Sequence, residues 1–122
     1  MTSPGYVPKS FARSPYRHLF GKSPAIIWEQ RDEPRDAVRL EASRLQHAYA
    51  CVIRVRARGK FGSIKAYAES LGVDSQRLQR VLRGDVPMRL EDIGAAALTL
   101  GESIHATAQE LLMARVTLAK PD

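Results

Sequence analysis

The chain has 122 residues, 44% of them hydrophobic, which bounds it to one ordinary domain with a single compact core. Its formal net charge of +6 favours an anionic partner, and its single cysteine, Cys51, excludes an intramolecular disulfide and points to a reducing compartment. No Cys/His cluster has zinc-site spacing, and the most apolar stretch, residues 93–100, is too short to cross a bilayer.

The N-terminus lacks the continuous apolar core of a secretion signal, so the expectation is a cytoplasmic protein with no metal, no cofactor and no membrane partner. Residues 1–24 hold Pro4, Pro8, Pro15 and Pro24, together with Lys9, Arg13, Arg17 and Lys22 and no acid. An organellar transit peptide shares that composition, but the prolines argue against the amphipathic helix it needs. With no helical or strand periodicity, residues 1–33 read as an irregular basic arm, not a core. Tyr6, Phe11, Tyr16 and Phe20 give the arm a means to dock on the body or on a partner protein; the alternative is a disordered tail.

Ser23-Pro24 predicts a short helix through Ile26, Ile27 and Trp28, since proline is tolerated at a first helical position. A second start at Glu33-Pro34 opens a long helix to about Ala57. Val38, Ala42, Leu45, Tyr49 and Val52 recur on one face of it, and Gly59 is its expected C-cap. Cys51, beside that stripe, reads as a small core residue. Four shorter helices follow, at 63–71, 74–83, 89–100 and 103 to about 119. Residues 34–122 are therefore expected to form one all-α domain of five helices. In the last helix Ile104, Ala108, Leu111, Leu112 and Val116 form an apolar stripe that closes the core or meets a second copy; we take it as the expected homodimer interface.

The charge is placed unevenly. Residues 34–84 carry eleven Lys or Arg against four Asp or Glu, and residues 85–122 carry three against six. The basic part contains the most organised pattern in the chain, over residues 63–84. Ser63 caps one helix, Gly72 permits a tight turn, Val73 points inward and Asp74 caps a second helix with inward Leu78, Val81 and Leu82, ended by Gly84. Two short capped helices joined by a glycine turn are the requirement for a helix-turn-helix.

Removing the inward residues leaves Ser75, Gln76, Arg77, Gln79, Arg80 and Arg83 on the second helix. Glutamine can pair bidentately with adenine and arginine with guanine, so Ser75, Gln76 and Arg80 are the leading base-reading candidates, with Arg77 and Gln79 able to read bases or hold phosphates. Arg83 at the helix end reads as a phosphate contact. Arg54, Arg56, Arg58 and Lys60 end the long helix, and Ser63 and Lys65 stand at the next helix start; among these Ser63, Lys65, Arg58 and Lys60 join Arg83 as phosphate candidates. His18, His47 and His105 lie far apart with no catalytic arrangement, reading as ordinary surface or boundary residues, so no enzyme is expected.

The run Ala68-Glu69-Ser70-Leu71-Gly72-Val73-Asp74-Ser75-Gln76-Arg77-Leu78-Gln79-Arg80-Val81-Leu82-Arg83-Gly84, with Pro87, Leu90-Glu91-Asp92-Ile93, Ala97, Leu100 and Gly101, resembles the lambda-repressor-like (Cro or XRE type) helix-turn-helix regulators. The resemblance implies a five-helix fold, a recognition helix in the major groove and a homodimer on two-fold double-stranded DNA. Two features depart from it. Ile64 stands where the family commonly has a phosphate-buttressing glutamine, and the preceding helix is longer. The expected function is a sequence-specific transcription regulator, a repressor of phage, plasmid or bacterial type. The alternatives are an architectural or replication and recombination accessory protein, and an antitoxin-like module whose arm folds on a protein partner.

Overall fold

The computed structural model describes residues 6–114 and 117–119. Two 3-10 turns, Pro8–Phe11 and Tyr16–Leu19, lead to strand β1, Ile27–Glu29. Five helices follow: α1 (Pro34–Phe61), α2 (Ile64–Leu71), α3 (Ser75–Arg83), α4 (Leu90–Leu100) and α5 (Ile104–Met113). A last strand, β2 (Thr117–Ala119), runs parallel to β1 with Ile27, Trp28 and Glu29 opposite Thr117, Leu118 and Ala119.

Glu33 opens α1 by accepting the backbone N–H groups of Arg35 and Asp36, and Pro34 occupies a first-turn position whose N–H would be unused. The helix does not stop near Ala57. It continues through Gly59 to Phe61, whose ring packs on Tyr67 at 5.4 Å, and Gly62 supplies the left-handed cap at φ +89°. The expected inward stripe is also displaced. Val38 and Leu45 are 70% and 41% exposed, while Leu40, Ser43, His47, Ala50 and Ala57 are buried together with Gln46 and Ile53. Of the expected stripe, Val52 is buried and Tyr49 packs half-buried on the core, so apolar periodicity finds one edge of the buried face and misses the part that the polar Ser43, Gln46 and His47 build.

Residues 6–33 correct the expectation of an arm outside the core. Phe11, Ala12, Phe20, Ile26 and Trp28 are buried and share one core with Ile53, Tyr67, Leu82 and Ile104. Phe20, Trp28 and His47 meet edge to face, with ring centroids 5.2–6.1 Å apart. The short helix expected through Ile26 and Trp28 is instead β1: the Arg13 N–H donates to the Ile27 carbonyl at 2.8 Å, and β2 pairs along the other edge. The β-branched pair Ile26-Ile27 suits a strand once non-local partners exist.

The same pairing shortens the last helix, which ends at Met113 with an extended Ala114 instead of running to 119. The fold is thus an all-α five-helix domain with a small two-stranded ribbon. Ile104 and Ala108 are fully buried against this chain's own helices, so of the two roles considered for their stripe they close the core and are not free to meet a second copy. Leu111 and Leu112 are half-buried against that core, and Val116 lies outside the described residues.

Candidate functional site

The geometry of residues 63–84 follows from four local devices. Ser63 Oγ accepts the Ala66 N–H at 3.0 Å, starting α2. Gly72, at φ +69°, turns the chain, and its N–H and that of Val73 close back on Ala68 and Glu69. Asp74 then accepts the Gln76 N–H at 2.9 Å and caps α3, which buries Leu78, Val81 and Leu82. Gly84 ends α3 at φ +78°. Val73 departs from expectation, being 38% exposed at the turn.

The C-terminal end of α3 is held by groups that no local pattern reveals. Gln46, buried in α1, donates through Nε2 to the carbonyls of Val81 (2.9 Å) and Val86 (3.0 Å), and its Oε1 accepts the Met88 N–H at 2.8 Å. The leading segment adds a second clamp. The Lys9 N–H donates to the Gly84 carbonyl at 3.0 Å, and the Lys9 ammonium pairs with Asp85, which also takes Arg83 at 3.1 Å. Burial tends to raise the Asp85 pKa, but hydrogen bonds from Lys9 and Arg83 outweigh it and hold the carboxyl below its ordinary range. Phe20 lies so close under Gly84 that an added Cβ would fall 2.7 Å from its ring.

With its inner side fixed, α3 presents Gln76, Gln79, Arg80 and Arg83 along one shallow groove, at the i, i+3, i+4, i+7 spacing of a single helix face. Gln76, Arg80 and Arg83 are exposed and Ser75 and Gln79 half-buried. Arg77 is drawn away from the other base-reading candidates. Its guanidinium makes a bidentate pair with Asp92 of α4, at 3.0 and 2.8 Å, and that hydrogen-bonded carboxylate raises the Arg77 pKa. Its observed partner is a neighbouring helix, which makes it a strut between α3 and α4.

Beside the groove lies an open cleft of about 530 Å³ lined by Lys22, Arg54, Arg58, Ser63, Lys65 and Arg83, with Gly62, Ile64 and Gln79 completing it. Four of the expected phosphate residues, Ser63, Lys65, Arg58 and Arg83, therefore come together. Lys60 does not join them: its ammonium donates to the Thr99 carbonyl and lies 5.6 Å over the Phe61 ring. Arg56 is likewise turned to α5, donating to Ser103 Oγ at 2.7 Å and Thr107 Oγ1 at 3.0 Å.

Two further cations join the cleft, Arg54 from the end of α1 and Lys22 from the leading segment. Arg54 Nε donates to the Gly21 carbonyl at 3.0 Å, while its Nη2 is buried with no hydrogen-bond partner among the described residues. Burial, then the charges of Arg58 and Arg83, lower its pKa. Gln79 and Arg83 line both the groove and the cleft, so the two form one continuous surface.

The histidines divide by environment. His18 is exposed, and His105 shares a 2.8 Å hydrogen bond with the Tyr49 hydroxyl. His47, expected at the surface or boundary, is buried between Phe20 and Trp28. Its Nδ1 accepts the Gly21 N–H at 2.9 Å, and desolvation lowers its pKa to about 4 against the opposing hydrogen bonds at Pro24 and Ser23. Cys51, its neighbour, is buried as expected, and burial raises the thiol pKa to about 11, so it is protonated and unreactive at neutral pH. Among the described residues, no group of three or more His, Cys, Asp or Glu could hold a metal ion, and no helix is long and apolar enough to cross a membrane. Comparison of the chain with protein-family models, curated proteins and solved structures finds no match.

Proposed function

We propose that this chain is a sequence-specific double-stranded DNA-binding regulator that lays α3 in the major groove, in the manner of the lambda-repressor-like helix-turn-helix proteins its motif resembles. The observation that carries the reading is the continuity of two surfaces: an outward face of Gln76, Gln79 and Arg80, and a cationic cleft beside it sharing Arg83 and Gln79. In this reading Gln76 and Arg80 offer amide and guanidinium donors to base edges, Ser75 and Gln79 contact the groove from its start and flank, and Arg83, Arg58, Ser63 and Lys65 hold the phosphates that set register. Arg77 supports the geometry through Asp92 instead of reading a base.

One such helix reads only about four base pairs, so a homodimer on a two-fold site in the bacterial or phage nucleoid completes the proposal. Its interface lies elsewhere than at Ile104 and Ala108, which the core consumes. Bound over a promoter, the dimer represses by occlusion. The reading in which an arm folds on a protein partner loses its motivation, because Phe11, Phe20 and Trp28 are already buried at home.

Selection of bound duplexes from a random pool, followed by competition at several KCl concentrations, tests the proposal. The expected result is one recurring two-fold motif whose affinity falls steeply with salt. Equal affinity for every sequence would remove the regulatory reading.

A further inference from the structure

We infer that the cleft between the end of α1 and the start of α2 seats a phosphate of the DNA backbone, with Lys22 of the leading segment as a direct ligand and Arg54 as a fixed positive charge in its wall. This rests on the DNA-binding reading for the source of the phosphate.

Three independent features converge there. Lys22, Arg54, Arg58, Lys65 and Arg83 line one cleft, and no Asp or Glu is among its lining residues. Like charges gathered in this way repel one another, and the carboxylate partner of Arg83, Asp85, lies outside the lining; an entering anion relieves that repulsion. Arg54 records the strain: burial and the neighbouring Arg58 and Arg83 charges lower its pKa, and its Nη2 is buried with no partner among the described residues. At the mouth of the cleft, the N–H groups of Ile64 and Lys65 belong to the first turn of α2 and can have no intrahelical acceptor.

The position of Lys22 distinguishes a built seat from a tail lysine passing by. The preceding peptide is gripped at both ends: the Gly21 N–H donates to His47 Nδ1 and its carbonyl accepts from Arg54 Nε. Gly21 has φ +71°, and a Cβ on it would stand 2.0 Å from the Leu82 carbonyl oxygen of α3. The backbone that carries Lys22 is thus fixed against α1 and α3 together, and Lys22 lies exposed at the border of the cleft. Because Gln79 and Arg83 border both cleft and groove, a phosphate held here flanks the base pairs that α3 would read.

The test compares wild type, Lys22→Gln and Arg35→Gln in duplex binding over a KCl series. Arg35 is exposed at the opposite end of α1, about 35 Å from Arg58 at the helical rise, so its replacement removes equal charge away from the cleft. Lys22→Gln is expected to weaken binding uniformly across sequences and make the slope of log K against log[KCl] shallower by about one, with Arg35→Gln unchanged. A Lys22→Gln slope equal to that of wild type would overturn the assignment.

Thermal melting in inorganic phosphate against chloride at matched ionic strength separates the two failures. If wild type binds no duplex but phosphate raises its Tm and Lys22→Gln loses that gain, the seat stands and the DNA reading falls. If neither duplex nor phosphate binds wild type, both fall.

Discussion

Residues 63–84 and residues 6–33 both brace the outward face of α3, and they differ in how far their contacts reach along the chain. The helix-turn-helix is stabilised by neighbours: Ser63 on Ala66, Gly72 on Ala68, Asp74 on Gln76. The leading segment is held by distant residues. Gly21 meets His47, Arg54 and Leu82, Phe20 meets Trp28 and Gly84, and Lys9 meets Gly84 and Asp85. Local devices make an element; distant ones decide where its exposed face can point.

That contrast is sharpest at two glycines with nearly the same φ, +71° at Gly21 and +69° at Gly72. Gly21→Ala should have the largest effect, a loss of more than about 4 kcal/mol measured by urea unfolding, because the Cβ collides with a carbonyl oxygen and also occupies a left-handed conformation. Gly72→Ala, at φ +69° with nothing within 4 Å of the added Cβ, should have the smallest, about 1 kcal/mol from the backbone conformation alone. Equal losses at both positions would dissolve the distinction between the regions.

Between these extremes lies a pH effect at the contact between α1 and the leading segment. The His47 pKa is lowered from 6.5 to about 4, so between those values the unfolded chain binds a proton that the folded chain refuses. Stability is therefore full above about pH 6.5 and is lost as the pH falls toward 4, by roughly 3 kcal/mol in all. Protonation at Nδ1 would also set one N–H donor against the Gly21 N–H. Urea unfolding between pH 7.5 and 4.5 should show this slope in wild type and lose most of it in His47→Gln. A somewhat smaller effect, about 2 kcal/mol, is expected for Gln46→Ala, which removes this partner from the Val86 carbonyl and the Met88 N–H and leaves the Val81 carbonyl with the Gly84 N–H. Urea unfolding near pH 7.5 measures it, and an unchanged midpoint would show that the C-terminal end of α3 does not need this clamp.

How much of this was legible in the sequence follows the same division. Caps, glycine turns and the inward Leu78, Val81 and Leu82 are read within a dozen residues, and α2 and α3 emerged with their ends nearly in place. Apart from Val52, the buried face of α1 is not legible in the pattern, because Ser43, Gln46 and His47 are buried for hydrogen bonding and close packing, which hydropathy counts against them. The strands were missed because β1 and β2 are separated by nearly the whole chain and three residues each carry no alternation to detect. In the candidate site, Gln76, Gln79, Arg80 and Arg83 were recovered from helical spacing. The diversion of Arg77 to Asp92 and of Lys60 to Thr99, and the arrival of Lys22, are products of tertiary packing.

The central claim is that the outer face of α3 reads bases. Its most direct test measures the affinity of wild type and Arg80→Ala for the selected duplex and for every single-base change within it. The account predicts that Arg80→Ala loses preference at one base pair, by about 1–3 kcal/mol, and leaves the other positions as they were. Uniform weakening across all duplexes, with every preference retained, would contradict it and make Arg80 a backbone contact.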